Sequence, residues 1–137
     1  MTGLRILADD LTGALDSAAA FAGEVPVALG RPDPVLFAGA PVAAVATGTR
    51  DVPAAALAGL LEPVVPWLAG AGIAFKKVDS LLRGNTFAEV AHVARAGGFH
   101  HVVFAPAFPR QGRVTVDGCH QVPTGEGSAT QRVPAGD

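Results

Sequence analysis

Four short apolar runs in this chain each give way abruptly to a cluster of polar residues, and helical or turn-forming sequence separates one run from the next. Leu4 to Ala8 ends at Asp9-Asp10-Leu11-Thr12-Gly13. Val42 to Ala46 ends at Thr47-Gly48-Thr49-Arg50-Asp51. Ile73 to Val78 runs into Lys76-Lys77-Val78-Asp79-Ser80-Leu81-Leu82-Arg83-Gly84-Asn85. His101 to Ala105 ends at Pro106-Ala107-Phe108-Pro109-Arg110-Gln111-Gly112-Arg113. Buried runs of this length, alternating with helical patterns, are the signature of a parallel sheet covered on both faces. The expected fold is therefore α/β, a three-layer, mostly parallel sheet of Rossmann-like type. In such a sheet all four clusters lie at the carboxyl ends of strands, along the edge where ligands bind.

The remaining elements follow from the same pattern. Leu11 to Ala22 has helical spacing, with Ala14, Leu15, Ala18 and Phe21 on one face. Val25 to Leu29 reads as a strand and Pro34 to Phe37 as a short extended piece. Pro53 to Ala69 reads as helix, with Pro53 suited to the first turn. Pro63 and Pro66 predict a kink or a break into two shorter helices. Thr86 to Ala96 is a helix stopped by Gly97-Gly98. From Val122 to Asp137 the sequence is rich in Gly, Pro, Ser and Thr without an apolar period. An irregular or disordered tail is expected over 122–137, after a single domain over 1–121.

Composition narrows the function classes. The 137 residues are 50% hydrophobic and 16% charged, enough to build one sizeable core. A formal charge of −2 gives no nucleic-acid footprint. Polar residues interrupt every apolar run before it reaches membrane-spanning length, and the amino terminus lacks a signal-peptide pattern. A cytoplasmic location is the default expectation. Cys119 is the single cysteine, so no intrachain disulfide forms, and His92, His100 and His101 match no zinc spacing. No metal site is expected.

Each polar cluster has a plain structural reading beside a functional one. Asp9 or Asp10 suits the N-cap of the first helix, but two adjacent carboxylates exceed what a cap needs. Arg50 and Asp51 suit a solvated pair at a helix start. Lys76 and Lys77 alternate along a strand, so one points to each face. Asp79 with Arg83 suits an ion pair tying down a turn. Gly84 and Asn85 add close backbone approach and a hydrogen-bonding amide. Arg110, Gln111 and Arg113 around Gly112 suit either a rigid loop or an anion cradle. Glycine-rich nucleotide loops are missing from the strand-helix junctions. A D-x-D-x-T phosphatase nucleophile motif fits Asp10 and Thr12 but finds Ala8 where the nucleophilic aspartate must be.

Three of these segments, Ala8-Asp9-Asp10-Leu11-Thr12-Gly13-Ala14, Lys76 to Asn85 and Ala105 to Arg113, resemble the four-carbon acid sugar kinase family, specifically its N-terminal sugar-binding domain. Thr47-Gly48-Thr49-Arg50 resembles a weaker motif of that family, and Glu89 falls where it often has a glutamate. The order and spacing agree over about Leu4 to Gly118. The resemblance implies a domain that binds a sugar acid such as threonate, erythronate or 3-oxo-tetronate. The family phosphorylates such acids at the terminal hydroxyl with ATP and Mg²⁺. Its C-terminal ATP-binding domain is expected to be absent from this chain. Partners implied are the small sugar acid and either a separate ATP-binding chain or a homo-oligomer, with no nucleic acid and no membrane.

In this reading Arg83, with Arg110 or Arg113, takes the substrate carboxylate. Asp9, Asp10 and Asn85 hold hydroxyls, and Thr12, Arg50, Lys77, Ser80, Gly84, Gln111 and Gly112 complete the binding set. Asp10 or Asp79 takes the hydroxyl proton, and Lys76 or Lys77 neutralises phosphate charge. The alternative is a non-catalytic sugar-acid-binding or regulatory module.

Overall fold

The structure, a computed structural model, describes residues 3–123 and 130–133. Its frame is a four-stranded parallel sheet in the order β2-β3-β1-β4. The strands are β1 (Leu4–Ala8), β2 (Val27–Leu29), β3 (Val42–Ala46) and β4 (Ile73–Lys77). β1 is central, paired in register with β3 through Leu4↔Val42 to Ala8↔Ala46 and with β4 through Leu4↔Ile73 to Ala8↔Lys77.

The alternation of side chains along β1 and β3 builds two different faces. Ile6, Ala8, Ala44 and Ala46 face α1 (Leu11–Ala18) and pack with Ala14. Small residues on both sides let this helix sit close to the sheet. Leu7, Ala43 and Val45 face the other way, into a larger core with Leu57, Leu61, Val64, Leu68 and Val93. That core is supplied by α2 (Ala54–Leu61), α3 (Val65–Ala69) and α4 (Thr86–Ala96). Each fully buried Leu or Val there contributes about 1.5–3 kcal/mol relative to exposure. Helices thus cover both faces, as the alternation of elements predicts. The proline-induced break is also present, because α2 ends at Leu61 and α3 begins at Val65 with Pro66 in its first turn.

This topology creates a crevice. The connection leaving β1 passes over one face of the sheet, and those leaving β3 and β4 pass over the other. Crevices at the carboxyl ends of strands whose connections diverge in this way are the binding positions of open α/β sheets.

Four expectations are corrected. His101 to Ala105 is not a strand: Val103 is 92% exposed and no ladder bond forms along the segment among the described residues. An apolar run becomes a strand only with a hydrogen-bonded neighbour, and β4 takes none on its outer side among those residues. Pro34 to Phe37 is a turn, because the Asp33 carboxylate accepts the backbone N–H groups of Val35 and Leu36 and Phe37 N–H closes on Asp33 O at 3.0 Å. α1 stops at Ala18, where the bonding tightens from Ala19→Leu15 to Ala20→Ser17 and Phe21→Ala18. The expected tail is not irregular where it is described. β6 (Cys119–Pro123) pairs antiparallel with β5 (Val114–Val116) and with β7 (Thr130–Val133). The rest of 122–137, residues 124–129 and 134–137, lies outside the described residues.

Candidate functional site

The carboxyl ends of β1, β3 and β4 converge as the sequence predicts, and what joins them is a set of charged and amide side chains. Asp10 is the N-cap of α1, with extended backbone and its Oδ1 accepting from Gly13 N–H at 2.8 Å. Its other oxygen, Oδ2, accepts from Arg50 Nη1 at 2.8 Å. The same guanidinium grips Asp9 with two bonds, Nε to Oδ2 at 2.8 Å and Nη2 to Oδ1 at 3.1 Å. Arg50 therefore bridges the β1 and β3 loops across the crevice, and it is not the solvated partner of Asp51. Its bonds to Asp9, working against partial burial, and the charges of Asp9, Asp10 and Asp79 push its proton affinity beyond the ordinary arginine range.

The β4 loop carries a second pair. Asp79 is buried and accepts from Arg83 Nε at 2.6 Å, Arg83 Nη2 at 3.0 Å and the Arg83 backbone N–H at 3.0 Å. Burial alone would raise the Asp79 carboxyl, but these bonds and the charges of Arg83 and Arg50 outweigh it and hold the carboxyl below its usual range. The Arg83 side chain is 59% exposed, so it rests on Asp79 with its outer side in solvent. Asp79 raises the proton affinity of Arg83, chiefly through the hydrogen bonds and then through its charge. Leu82 in this turn has φ +57, a left-handed conformation that costs a leucine energy and persists where neighbouring bonds over-determine it.

Asn85 and Gly84 act on the protein itself. The Asn85 amide donates to Thr49 O at 3.0 Å and Val52 O at 2.8 Å, with a longer contact to Arg50 O at 3.4 Å. This donor holds the β3 loop. Gly84, at φ +66, lies against the Arg50 backbone so tightly that no Cβ fits. Thr47 and Thr49 share a 2.6 Å hydroxyl contact beneath the same loop.

The two lysines divide between the faces. Lys76 turns toward α4, where Nζ lies 2.7 Å from Glu89 Oε2 but out of line for a hydrogen bond. Glu89 is fully buried, and neither carboxylate oxygen receives a directional donor from the described residues. Lys77 turns toward α1, and its stem packs over Gly13 beside Asp10. Thr12 is exposed one residue into α1.

The fourth cluster reaches the site by another route. Pro109–Gln111 is a 3₁₀ turn at the base of the β5-β6 hairpin, closed by Gly112 at φ +70. Arg113 Nη1 donates to Ser80 Oγ, and His120 Nε2 meets Ser80 O at 2.7 Å. The hairpin is thereby pinned to the β4 loop. Arg110 and Gln111 are exposed, and no bond joins them to Asp10, Arg50 or Arg83. Glu89, which the family resemblance singles out, and His120, which sequence reasoning did not place at the site, are structural members of it.

Together these features define an α/β domain with a charged crevice of two arginine-carboxylate pairs at its strand ends. The sugar-binding N-terminal domain family matches residues 4–136, and the chain belongs to that family. It is 39% identical over 127 residues to a D-threonate kinase of Cupriavidus necator, across 83% of this chain and 28% of that protein. It is 38% identical over 125 residues to a D-threonate kinase of Bordetella bronchiseptica, across 84% of this chain and 31% of that protein. The chain thus spans roughly three-tenths of the length of these relatives. A crystal structure of a domain of unknown function from Bordetella bronchiseptica superposes with a TM-score of 0.76 at 36% identity. It covers 90% of this chain and 34% of that one, and is described as a domain-swapped dimer with bound citrate.

The described residues contain no group of three His, Cys, Asp or Glu able to hold a metal ion. Asp9 and Asp10, the adjacent carboxylates, are both engaged by Arg50. The adjacent carboxylates are thus turned to a guanidinium and do not form an open pair for a Mg²⁺ ion. No helix of the described residues is long and apolar enough to cross a membrane.

Proposed function

We propose that this chain is the substrate-binding domain of an ATP-dependent four-carbon sugar acid kinase, taking threonate, erythronate or a 3-oxo-tetronate. The observation that carries the reading is the exposed guanidinium of Arg83, held in place by buried Asp79 at the edge where three strand ends meet. A guanidinium oriented on one side and open on the other offers paired N–H donors to a carboxylate. The D-threonate kinases among the relatives and the citrate in the similar crystal structure, a hydroxy acid with several carboxylates, support a ligand of this class.

Within that reading the residues have distinct tasks. Arg83 takes the carboxylate. Asp10, more open than Asp9 at 28% against 4% side-chain exposure, accepts from a substrate hydroxyl. Asp10 takes the proton in this reading because its carboxylate opens toward the crevice, whereas Asp79 is buried beneath Arg83. Lys77 lies beside Asp10 and is the lysine placed to neutralise charge there, while Lys76 is matched to Glu89. Arg50, Gly84 and Asn85 fix the loops, which serves orientation of the reacting hydroxyl. ATP and Mg²⁺ are bound by the remainder of the family's polypeptide. The domain-swapped neighbour supports a homo-oligomer.

Isothermal calorimetry with D-threonate and erythronate tests the binding assignment. A phosphorylation assay with ATP, on this chain alone and with a separate ATP-binding chain, tests the rest. Binding with no product in either assay would favour a non-catalytic sugar-acid-binding module.

A further inference from the structure

A second cleft lies at the opposite edge of the sheet, where β1 and β4 begin. It encloses about 290 Å³, near the lower end of the range for small-molecule pockets. Five-residue strands separate it from the charged crevice by about 16 Å. Its walls combine Trp67, Phe37, Pro32, Pro34 and Pro66 with one charged side chain, Arg5.

Arg5 is an unusual occupant of a central strand. It lies on the α3 side of β1, its guanidinium 6.0 Å from the centre of the Trp67 ring, and Trp67 stacks on Phe37 at 5.5 Å. One nitrogen, Nη1, donates to Leu4 O at 3.1 Å and Ala40 O at 3.2 Å. Those bonds fix the guanidinium plane. Nε and Nη2 donate to no described acceptor, and Arg5 forms no ion pair among the described residues. The nearby carboxylate of Asp33 is turned into its own loop, accepting from Val35 and Leu36. The cleft therefore presents a fixed, unmatched positive charge beside flat apolar walls.

We infer that this cleft is a second binding site, for a small carboxylate carrying a flat apolar body. The carboxylate pairs with the open side of Arg5, and the body lies against Trp67 and the prolines. Nothing in the proposed sugar-acid reading requires such a site, because a four-carbon polyol has no flat apolar face.

Trp67 is the single tryptophan of the chain, so its emission reports on this cleft alone. The full chain is titrated with benzoate and, separately, with benzamide, its neutral counterpart. The expected result is a saturable change with benzoate, at least about tenfold weaker with benzamide and in Arg5→Gln, as loss of a charge-assisted pair requires. Ala71→Phe, which fills the cleft mouth and leaves Arg5 intact, is expected to abolish the change while cooperative melting is retained. Excess D-threonate is expected to leave the benzoate titration unmoved. The proposal is overturned by unsaturable quenching, by equal responses to benzoate and benzamide, by unweakened binding in a folded Ala71→Phe chain, or by displacement with D-threonate.

Discussion

Gly84 packs against Arg50 so closely that a Cβ at residue 84 would sit 2.2 Å from the Arg50 carbonyl oxygen. Two loops that follow different strands are locked together at that contact, and Asn85 adds the hydrogen bonds that hold them. The lock places Arg50 across Asp9 and Asp10 on one side and leaves Arg83 facing solvent on the other.

Gly84→Ala is therefore expected to cost about 3 kcal/mol or more, from the positive φ and from a collision with backbone that cannot move aside. Urea denaturation gives the value. A change within about 0.5 kcal/mol, the ordinary range of surface substitutions, would mean that the loops are not locked at this point.

Asn85→Ala leaves the Thr49 and Val52 carbonyls without their side-chain donor, at an expected cost of about 1–3 kcal/mol. Because Gly84 and Asn85 hold the same loop, the double substitution should cost less than the sum of the single ones. Strict additivity in the double-mutant cycle would contradict a shared role.

Asp79 sets a pH dependence. Its folded carboxyl is more acidic than the ordinary 3.8, so its stabilisation is complete above that value. It is lost as pH falls from there through the lower folded value. The stability gap between the parent and Asp79→Asn should be constant near neutrality and shrink below about pH 4. Urea midpoints across that range decide it, and parallel curves down to the acid limit would refute the assignment.

Much of this was legible in the sequence, and the reason is specific. Strands β1, β3 and β4 are short apolar runs that stop at charged residues, and a parallel arrangement alone brings Asp9, Arg50 and Asp79 to one edge. What failed depended on partners that no local pattern reveals. His101 to Ala105 has the composition of a buried strand but no neighbour to pair with among the described residues. The structural task of Asn85 was hidden for the same reason, since its amide donates to backbone carbonyls from a segment more than thirty residues earlier. Asp33 overrides an extended reading through two local hydrogen bonds. Asp9 and Asp10 show that a cap and a site residue can coincide, since Asp10 serves Gly13 with one oxygen and Arg50 with the other.

The buried pair of Lys76 and Glu89 tests the division of labour between the lysines. Glu89→Ala strands an ammonium and should cost about 3–5 kcal/mol, whereas Lys76→Met with Glu89→Leu should recover most of that loss. Sugar-acid affinity in the recovered double variant should equal that of the parent. A large loss of affinity in that folded variant would assign Lys76 to the ligand.

Calorimetry of D-threonate binding to the parent and to Arg83→Ala bears most directly on the site. The exposed guanidinium is expected to contribute about 1.5–3 kcal/mol, so the substitution should weaken binding about tenfold or more. The melting temperature should fall as well, because buried Asp79 loses its partner, so affinity is compared at a temperature where circular dichroism shows the variant folded. Unchanged affinity in a folded Arg83→Ala chain, or no D-threonate binding by the folded parent, would contradict the account.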